Sequence, residues 1–571
     1  MEPDGARRQL NRGPLEGRED APGVIRTLLA YCSRTGAFLA GRCRRRRPLY
    51  RAGVLGLVAA ISAGFAFWML TGSARAPSSG TPSAAVQVNP DPPAAAPPSE
   101  PAIADESRRP DPDLARKIDA LLDSKRYRRA SWGVDVRYVD GGAVLYSRDP
   151  LKYFIPASNM KVFTTAAVLD RLGPDFRFET RLGYEGQLQG NGVLIGDLVL
   201  IGGGDPGLAN KLGSGSIFQH LDTMAREVER AGIRLIQGDV IGDDSFFSYA
   251  PHGRGWNKKD LEYHYAPRVS ALSFYDNLLN LVARPGRRTG QPIRLASYPS
   301  NSLFQLVNMG TTVADGPQAT GYLFRSLGNH KAVIGGRIPV SSPGWTRRIT
   351  MEDPALYTAT LLRDRLRKRG IRLAGSVRSR HTAPADGVET QIIYVHESPP
   401  LIQVIFRVNR ESHNLYAEIL LRTLGAVVKG RGSDSGGLEV VYELLREAGV
   451  PLRLTDLQDG SGLSEQNLIT PRAQSLLLRH VAGKSFFPFF LGSLPVAGRN
   501  GTLSGRMGGT PAANRVFAKT GTLSNAITLG GYVQSRSSEL LAFSILVNDH
   551  RFGHWNARRG IDQICSLLAR H

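Results

Sequence analysis

Ser158 and Lys161 stand three residues apart in "PASNMKVFTTAAVL" (156–169). That spacing puts both on one face of a first helical turn. A serine hydroxyl is a weak nucleophile and needs an adjacent base. A lysine amine can serve once burial and nearby positive charge favour its neutral form. The pair therefore fits a nucleophile armed by its own lysine. It fits equally a helix-capping serine followed by a solvated lysine, because Ser-x-x-Lys is a common accident. Two further patterns follow in chain order, Ser412-His413-Asn414 and Lys519-Thr520-Gly521. Each alone reads as a cap, a loop end or a strand end.

These residues need a frame to bring them together. "DLARKIDALLDS" from Asp113 reads as a helix, and "WGVDVRYVDGGAVLYS" alternates about an Asp-Gly-Gly turn as a hairpin. A helix is expected from Ser158 to Leu172, ended by Gly173-Pro174. From about 175 to 395 the texture changes to short strands and glycine turns. "REVERAGIRLIQGDV" (226–240) and "RDRLRKRGIRLAGSV" (363–377) repeat a helix, Gly-Ile-Arg-Leu and a strand. They read as two halves of one domain with a piece near 286–345 spliced between them. After 395 helices return, with a break at "NRESHN"; a strand, a hairpin and an amphipathic helix close the chain.

The 571 residues are too many for one core. Net charge is +22, and residues 1–51 hold 12 arginines against 5 acids. The remaining positive charge is spread without a basic block, and no aromatic-basic platform or zinc-finger spacing suggests nucleic acid. Three cysteines, Cys32, Cys43 and Cys565, make neither a disulfide framework nor a zinc site. The 11 histidines are scattered, and no Gly-x-Ser-x-Gly elbow or HExxH is present. "GGGDPG" (202–207) lacks the Gly-Lys-Ser/Thr ending of a phosphate loop. Residues 1–51 read as a basic cytoplasmic leader. The uncharged run 52–71 reads as a single-pass anchor with the N-terminus inside, and the body behind it as extracytoplasmic. Ten prolines within 77–112 make 72–112 an extended, disordered tether.

Taken together, the three patterns match the Ser-x-x-Lys, Ser-x-Asn and Lys-Thr-Gly set of penicillin-recognising serine enzymes. The 254 residues from Ser158 to Ser412 are far more than a compact β-lactamase places there. Together with "GDLVLIGGGDPGL", "GDVIGDDSFF", "DGSGLSEQNLITP" and "LPVAGRNGTLSGRM", this resembles the class C low-molecular-mass penicillin-binding proteins over roughly 113–571. The resemblance implies a D-alanyl-D-alanine carboxypeptidase/endopeptidase of α+β multidomain architecture. Its transpeptidase/β-lactamase-like catalytic domain (113–174 and 396–571) would be an antiparallel sheet flanked by helices. Two nested inserted domains would occupy 175–285 with 346–395, and 286–345.

The implied catalytic residues are Ser158, Lys161, Ser412, Asn414 and Lys519. Thr520, Gly521, Thr522 and Asp205 would bind substrate, with the backbone N–H groups of Ser158 and Thr522 forming an oxyanion hole. No metal or organic cofactor is implied. The expected partners are peptidoglycan stem peptides, β-lactams as covalent inhibitors, and the membrane. Glu465 stands after "DGSGLS" where the resemblance implies a basic residue, which weakens recognition of a free diaminopimelate carboxylate. A β-lactamase-like hydrolase and an inactive peptidoglycan-binding protein are the competing readings.

Overall fold

The computed structural model describes residues 110–209, 215–300, 302–316, 318–325, 330–551 and 553–571. The expected leader and membrane anchor, and the linker up to residue 109, lie outside the described residues. Pro112, assigned to that linker, instead belongs to the helix Pro112–Leu122. Asp111 caps it, accepting from the Asp113 and Leu114 amides at 2.9 and 3.1 Å. Among the described residues no helix is long and apolar enough to cross a membrane.

A five-stranded sheet is assembled from both ends of this body. Its order is Val516–Leu523, Ala526–Gln534, Leu540–Asn548, Ser131–Tyr138 and Val144–Arg148, and all pairs are antiparallel. Ala526–Gln534 and Leu540–Asn548 are buried almost end to end. Strands covered on both faces read as continuous apolar runs rather than alternating ones. The terminal helices Pro112–Leu122 and Gly553–Arg570 share one apolar cluster with the sheet, including Ile118, Trp132, Phe543 and Ile564. Helix Pro471–Ala482 packs on the two central strands. Helix Met160–Leu172 lies among Leu401–Arg410, Asn414–Lys429 and Asp434–Glu447, with every residue from Met160 to Leu169 buried. Apolar residues all round a helix require such complete enclosure.

The segment between Leu172 and Leu401 forms its own sheets. Seven strands make a mixed sheet that contains both copies of the internal echo. Leu235–Ile236 pairs in parallel with Arg372–Leu373, and Val240–Asp243 with Val377–Arg380. A second sheet joins Leu278–Arg284, Arg294–Tyr298 and Trp345–Thr350, and a third joins Gln305–Val313, Tyr322–Arg325 and Lys331–Pro339. The second sheet lies at the edges of the expected 286–345 piece: Leu278–Arg284 and Trp345–Thr350 flank it and pair with one another, and Arg294–Tyr298 inside it pairs with Leu278–Arg284.

Gly133 shows how tightly the central strands are covered. A β-carbon there would overlap the Phe154 ring and lie 2.7 Å from Pro471 Cγ. Gly133→Ala is expected to cost about 1–3 kcal/mol by overpacking, read as a lowered midpoint in thermal unfolding.

Candidate active site

Ser158 does not open an α-helix as the spacing predicts. It sits in a 3₁₀ turn, Ala157–Asn159, and the α-helix begins at Met160. No side chain caps either element, which removes the capping account of Ser158. Ala157 holds φ at +48°, a costly conformation for a residue with a β-carbon. The turn is pinned from outside. Asn159 Nδ2 donates to Thr528 Oγ1 (2.6 Å), Thr528 Oγ1 donates to the Pro156 carbonyl (2.7 Å), and Gln474 Nε2 donates to Asn159 Oδ1 (2.8 Å). Gly462 completes the enclosure: its φ is +77°, and a β-carbon there would overlap the Ala157 carbonyl.

Lys161 is fully buried. Its Nζ donates to Ser158 Oγ at 3.0 Å, Asn414 Oδ1 at 2.7 Å and the Ser461 carbonyl at 2.6 Å. Burial drives the Lys161 amine down to about 7, against the upward pull of Asp459 and Glu418. Glu418 is itself buried on helix Asn414–Lys429, where desolvation and then the Asp459 charge push its carboxyl up to about 8. Its oxygens accept from the Gly460 and Ser461 amides at 3.0 and 2.8 Å. A protonated, neutral Glu418 withdraws a counter-charge from Lys161 and so favours the free amine.

The other two patterns converge on the same place. Lys519 Nζ donates to Ser412 Oγ at 2.9 Å and to the Thr520 carbonyl at 2.8 Å. Burial, followed by the charge of Lys161, holds the Lys519 amine well below its ordinary range. Ser412 does not cap the next helix; His413 occupies that position, and Ser412 adopts φ +60°. Ser158, Ser412, Asn414 and Thr522 line one cleft of about 340 Å³, together with Lys259, Asp260, Tyr265 and Glu465. Thr520 Oγ1 donates to Thr502 Oγ1 at 2.7 Å, Gly521 is buried, and Thr522 is exposed. A buried amine this close to a hydroxyl can take up its proton, and the cleft leaves room for an acyl group beside it.

Asp205 is the exception. It is 1 % exposed, its Oδ1 accepts from the Gly207 amide at 2.7 Å, and its Oδ2 lies 3.6 Å from His396 Nε2. It is a buried turn residue that does not line the cleft, because the Gly-Gly-Asp-Pro turn folds its carboxylate inward. The residues that do reach the cleft from the inserted segment are Lys259, Asp260 and Tyr265.

Sequence reasoning also missed the supports. Glu418 had a signal: it is four residues after Asn414, on the same helical face, inside an otherwise apolar run. Asp459 organises its loop, accepting from the Gly462 and Ser464 amides at 2.8 and 2.9 Å. That turn is what aims the Ser461 carbonyl at Lys161. Asp276 had no signal. From the inserted segment, its Oδ1 accepts from Tyr416 Oη at 3.0 Å, and its Oδ2 is 3.6 Å from His413 Nε2. Asn414 Nδ2 meanwhile donates to the Tyr265 carbonyl at 2.9 Å. The inserted segment thereby grips the Ser412–Asn414 loop at two points.

The family model described as "D-Ala-D-Ala carboxypeptidase 3 (S13) family" matches residues 114–571. The chain belongs to that family. It is 34 % identical over 462 residues to a D-alanyl-D-alanine carboxypeptidase of Actinomadura sp. (strain R39), covering 79 % of this chain and 84 % of the relative. To the D-alanyl-D-alanine carboxypeptidase DacB of Haemophilus influenzae it is 27 % identical, covering 70 % and 82 %. The crystal structure of penicillin binding protein 4 (dacB) from H. influenzae superposes with a TM-score of 0.69 at 24 % identity, over 80 % of this chain and 99 % of that one. The class C low-molecular-mass resemblance is met, and the protein is a serine-type D-alanyl-D-alanine carboxypeptidase.

Two outcomes follow from the geometry. The base must be unprotonated to work, so kcat/KM on a D-alanyl-D-alanine peptide rises with pH through about 7 and falls below it. A pH–rate profile checks this, and Lys161→Ala removes the limb along with most activity. Asp276→Ala loosens the Ser412–Asn414 loop and slows acylation by up to about a hundredfold, measured by stopped-flow reaction with a penicillin, while the far-UV circular dichroism is retained.

Proposed function

We propose that this cleft cleaves the terminal D-alanyl-D-alanine bond of peptidoglycan stem peptides through an acyl-enzyme on Ser158. The observation that carries the reading is the buried Lys161 amine 3.0 Å from Ser158 Oγ. Lys161 takes the hydroxyl proton as Oγ attacks the carbonyl carbon of the penultimate D-alanine. The backbone N–H groups of Ser158 and Thr522 hold the oxyanion, a device in which each donor is worth roughly 3–4 kcal/mol. The C–N bond then breaks, the proton passes through Ser412 to the leaving amine, and D-alanine or a cross-bridge amine departs. Water gives a proton to Lys161 as it attacks the resulting ester, the acyl C–Oγ bond breaks to release the acid, and Lys161 returns that proton to Ser158 Oγ. Asn414 fixes Lys161, and Lys519 holds the Ser412 hydroxyl through its 2.9 Å hydrogen bond.

Thr520 and Gly521 lie on the strand at the edge of the five-stranded sheet, where an extended peptide can add alongside. β-Lactams acylate the same serine, since they present a strained amide to the same nucleophile. Asp260 and Glu465 border the cleft as carboxylates, which favours an amine over a free carboxylate on the stem's third residue. The catalytic part is taken as 113–174 with 396–571, and the rest of 175–395 as inserted. The apolar run 52–71 would anchor the chain in the cytoplasmic membrane, N-terminus inside, with the body outside the cytoplasm on its proline-rich tether.

Ser158→Ala is expected to abolish D-alanine release from a D-alanyl-D-alanine peptide and covalent labelling by a fluorescent penicillin. In the wild type the penicilloyl adduct persists; rapid turnover of the adduct would favour the β-lactamase reading instead. Hydrolysis surviving in Ser158→Ala would end the acyl-enzyme account.

A further inference from the structure

A carboxypeptidase must distinguish a peptide that ends in a free α-carboxylate from one that continues. That carboxylate sits on the leaving residue, one residue beyond the attacked carbonyl. A permanently charged donor near the Lys519–Thr522 strand would recognise it. The lysines of the catalytic set are poorly suited. Lys161 is committed to Ser158, Asn414 and Ser461, and Lys519 to Ser412 and Thr520. Both are buried, and burial favours their neutral forms.

A guanidinium stands at the exposed end of that strand. Arg558, on helix Gly553–Arg570, donates from Nη2 to Thr522 Oγ1 at 3.4 Å. Thr522 and Ser158 line the same cleft. The nearby carboxylate of the helix is already taken: Asp562 accepts from Arg506 Nε at 3.1 Å and Nη2 at 2.6 Å. Among the described residues Arg558 makes no ion pair within 4.0 Å, so its fork keeps donors for an incoming anion. Burial and the neighbouring Arg506 lower its proton affinity, yet an arginine remains charged at neutral pH.

We propose that Arg558 receives the free α-carboxylate of the leaving D-alanine, with Thr522 Oγ1 as the second donor. This subsite rests on the acyl-enzyme reading above and determines carboxypeptidase specificity within it. Arginine suits the task because its planar fork matches a carboxylate with two parallel hydrogen bonds. A peptide whose terminus is an amide has no such anion to offer. It should gain nothing from Arg558.

The test compares one stem-peptide sequence ending in D-alanyl-D-alanine with the same sequence ending in D-alaninamide. In the wild type, kcat/KM favours the free acid. In Arg558→Gln the ratio of acid to amide is expected to fall about 10- to 100-fold, through KM for the acid, with the amide little changed. Arg558→Lys should restore part of the preference and serves as the readout if the glutamine variant does not fold. Equal loss on both substrates, or an unchanged ratio in both variants, overturns the proposal. Failure of the underlying reaction is seen separately, as hydrolysis or penicillin labelling that persists in Ser158→Ala.

Discussion

An amine removed from water gives up its proton rather than bear the cost of an isolated buried charge. Burial holds Lys161 in that condition, against the upward pull of Asp459 and Glu418. Its three acceptors come from the nucleophile turn, the Ser412–Asn414 loop and the Asp459 loop. Its acidic neighbour Glu418 is itself pushed toward neutrality by burial. The remainder of the catalytic part can be read as the enclosure this pair requires. Helices enclose Met160–Leu169, and the edge strand brings Lys519 in from the chain's far end.

That enclosure stores local strain. Ala157 and Ser412, immediately before and within the catalytic segments, hold φ at +48° and +60°, and Asp276 behind them holds +58°. Such conformations persist only where surrounding structure over-determines them. Buried hydrogen bonds do so here: Thr528 and Gln474 on one side, Tyr416 and Asp276 on the other. The inserted segment is therefore more than a decoration on the nucleophile domain. It supplies a carboxylate and a carbonyl that locate the Ser412–Asn414 loop, and it supplies one rim of the cleft.

Much of the catalytic set was legible because its chemistry demands particular residue types at short spacings. Ser158 and Lys161 must be a turn apart, and Lys519-Thr520-Gly521 must lie on an open strand edge. The internal echo was legible for a similar reason: two like segments packed as neighbours repeat the same helix-to-strand register. Asp205 misled because a Gly-Gly-Asp-Pro turn looks alike whether its carboxylate faces a cleft or folds back onto its own backbone. Strand pairing was not legible in the same way: glycine turns mark where strands end, but not that Arg294–Tyr298 pairs with Leu278–Arg284.

The sequence by itself determined the nucleophile, its amine, the companion motifs and an insertion between them, because local chemistry constrains residue identity and order. Tertiary structure alone decided which groups make the amine basic. The Ser461 carbonyl, Glu418 and Asp276 come from segments 42 to 300 residues distant from the groups they bind or orient. Burial and hydrogen-bond direction depend on the folded neighbourhood, and no linear spacing encodes them.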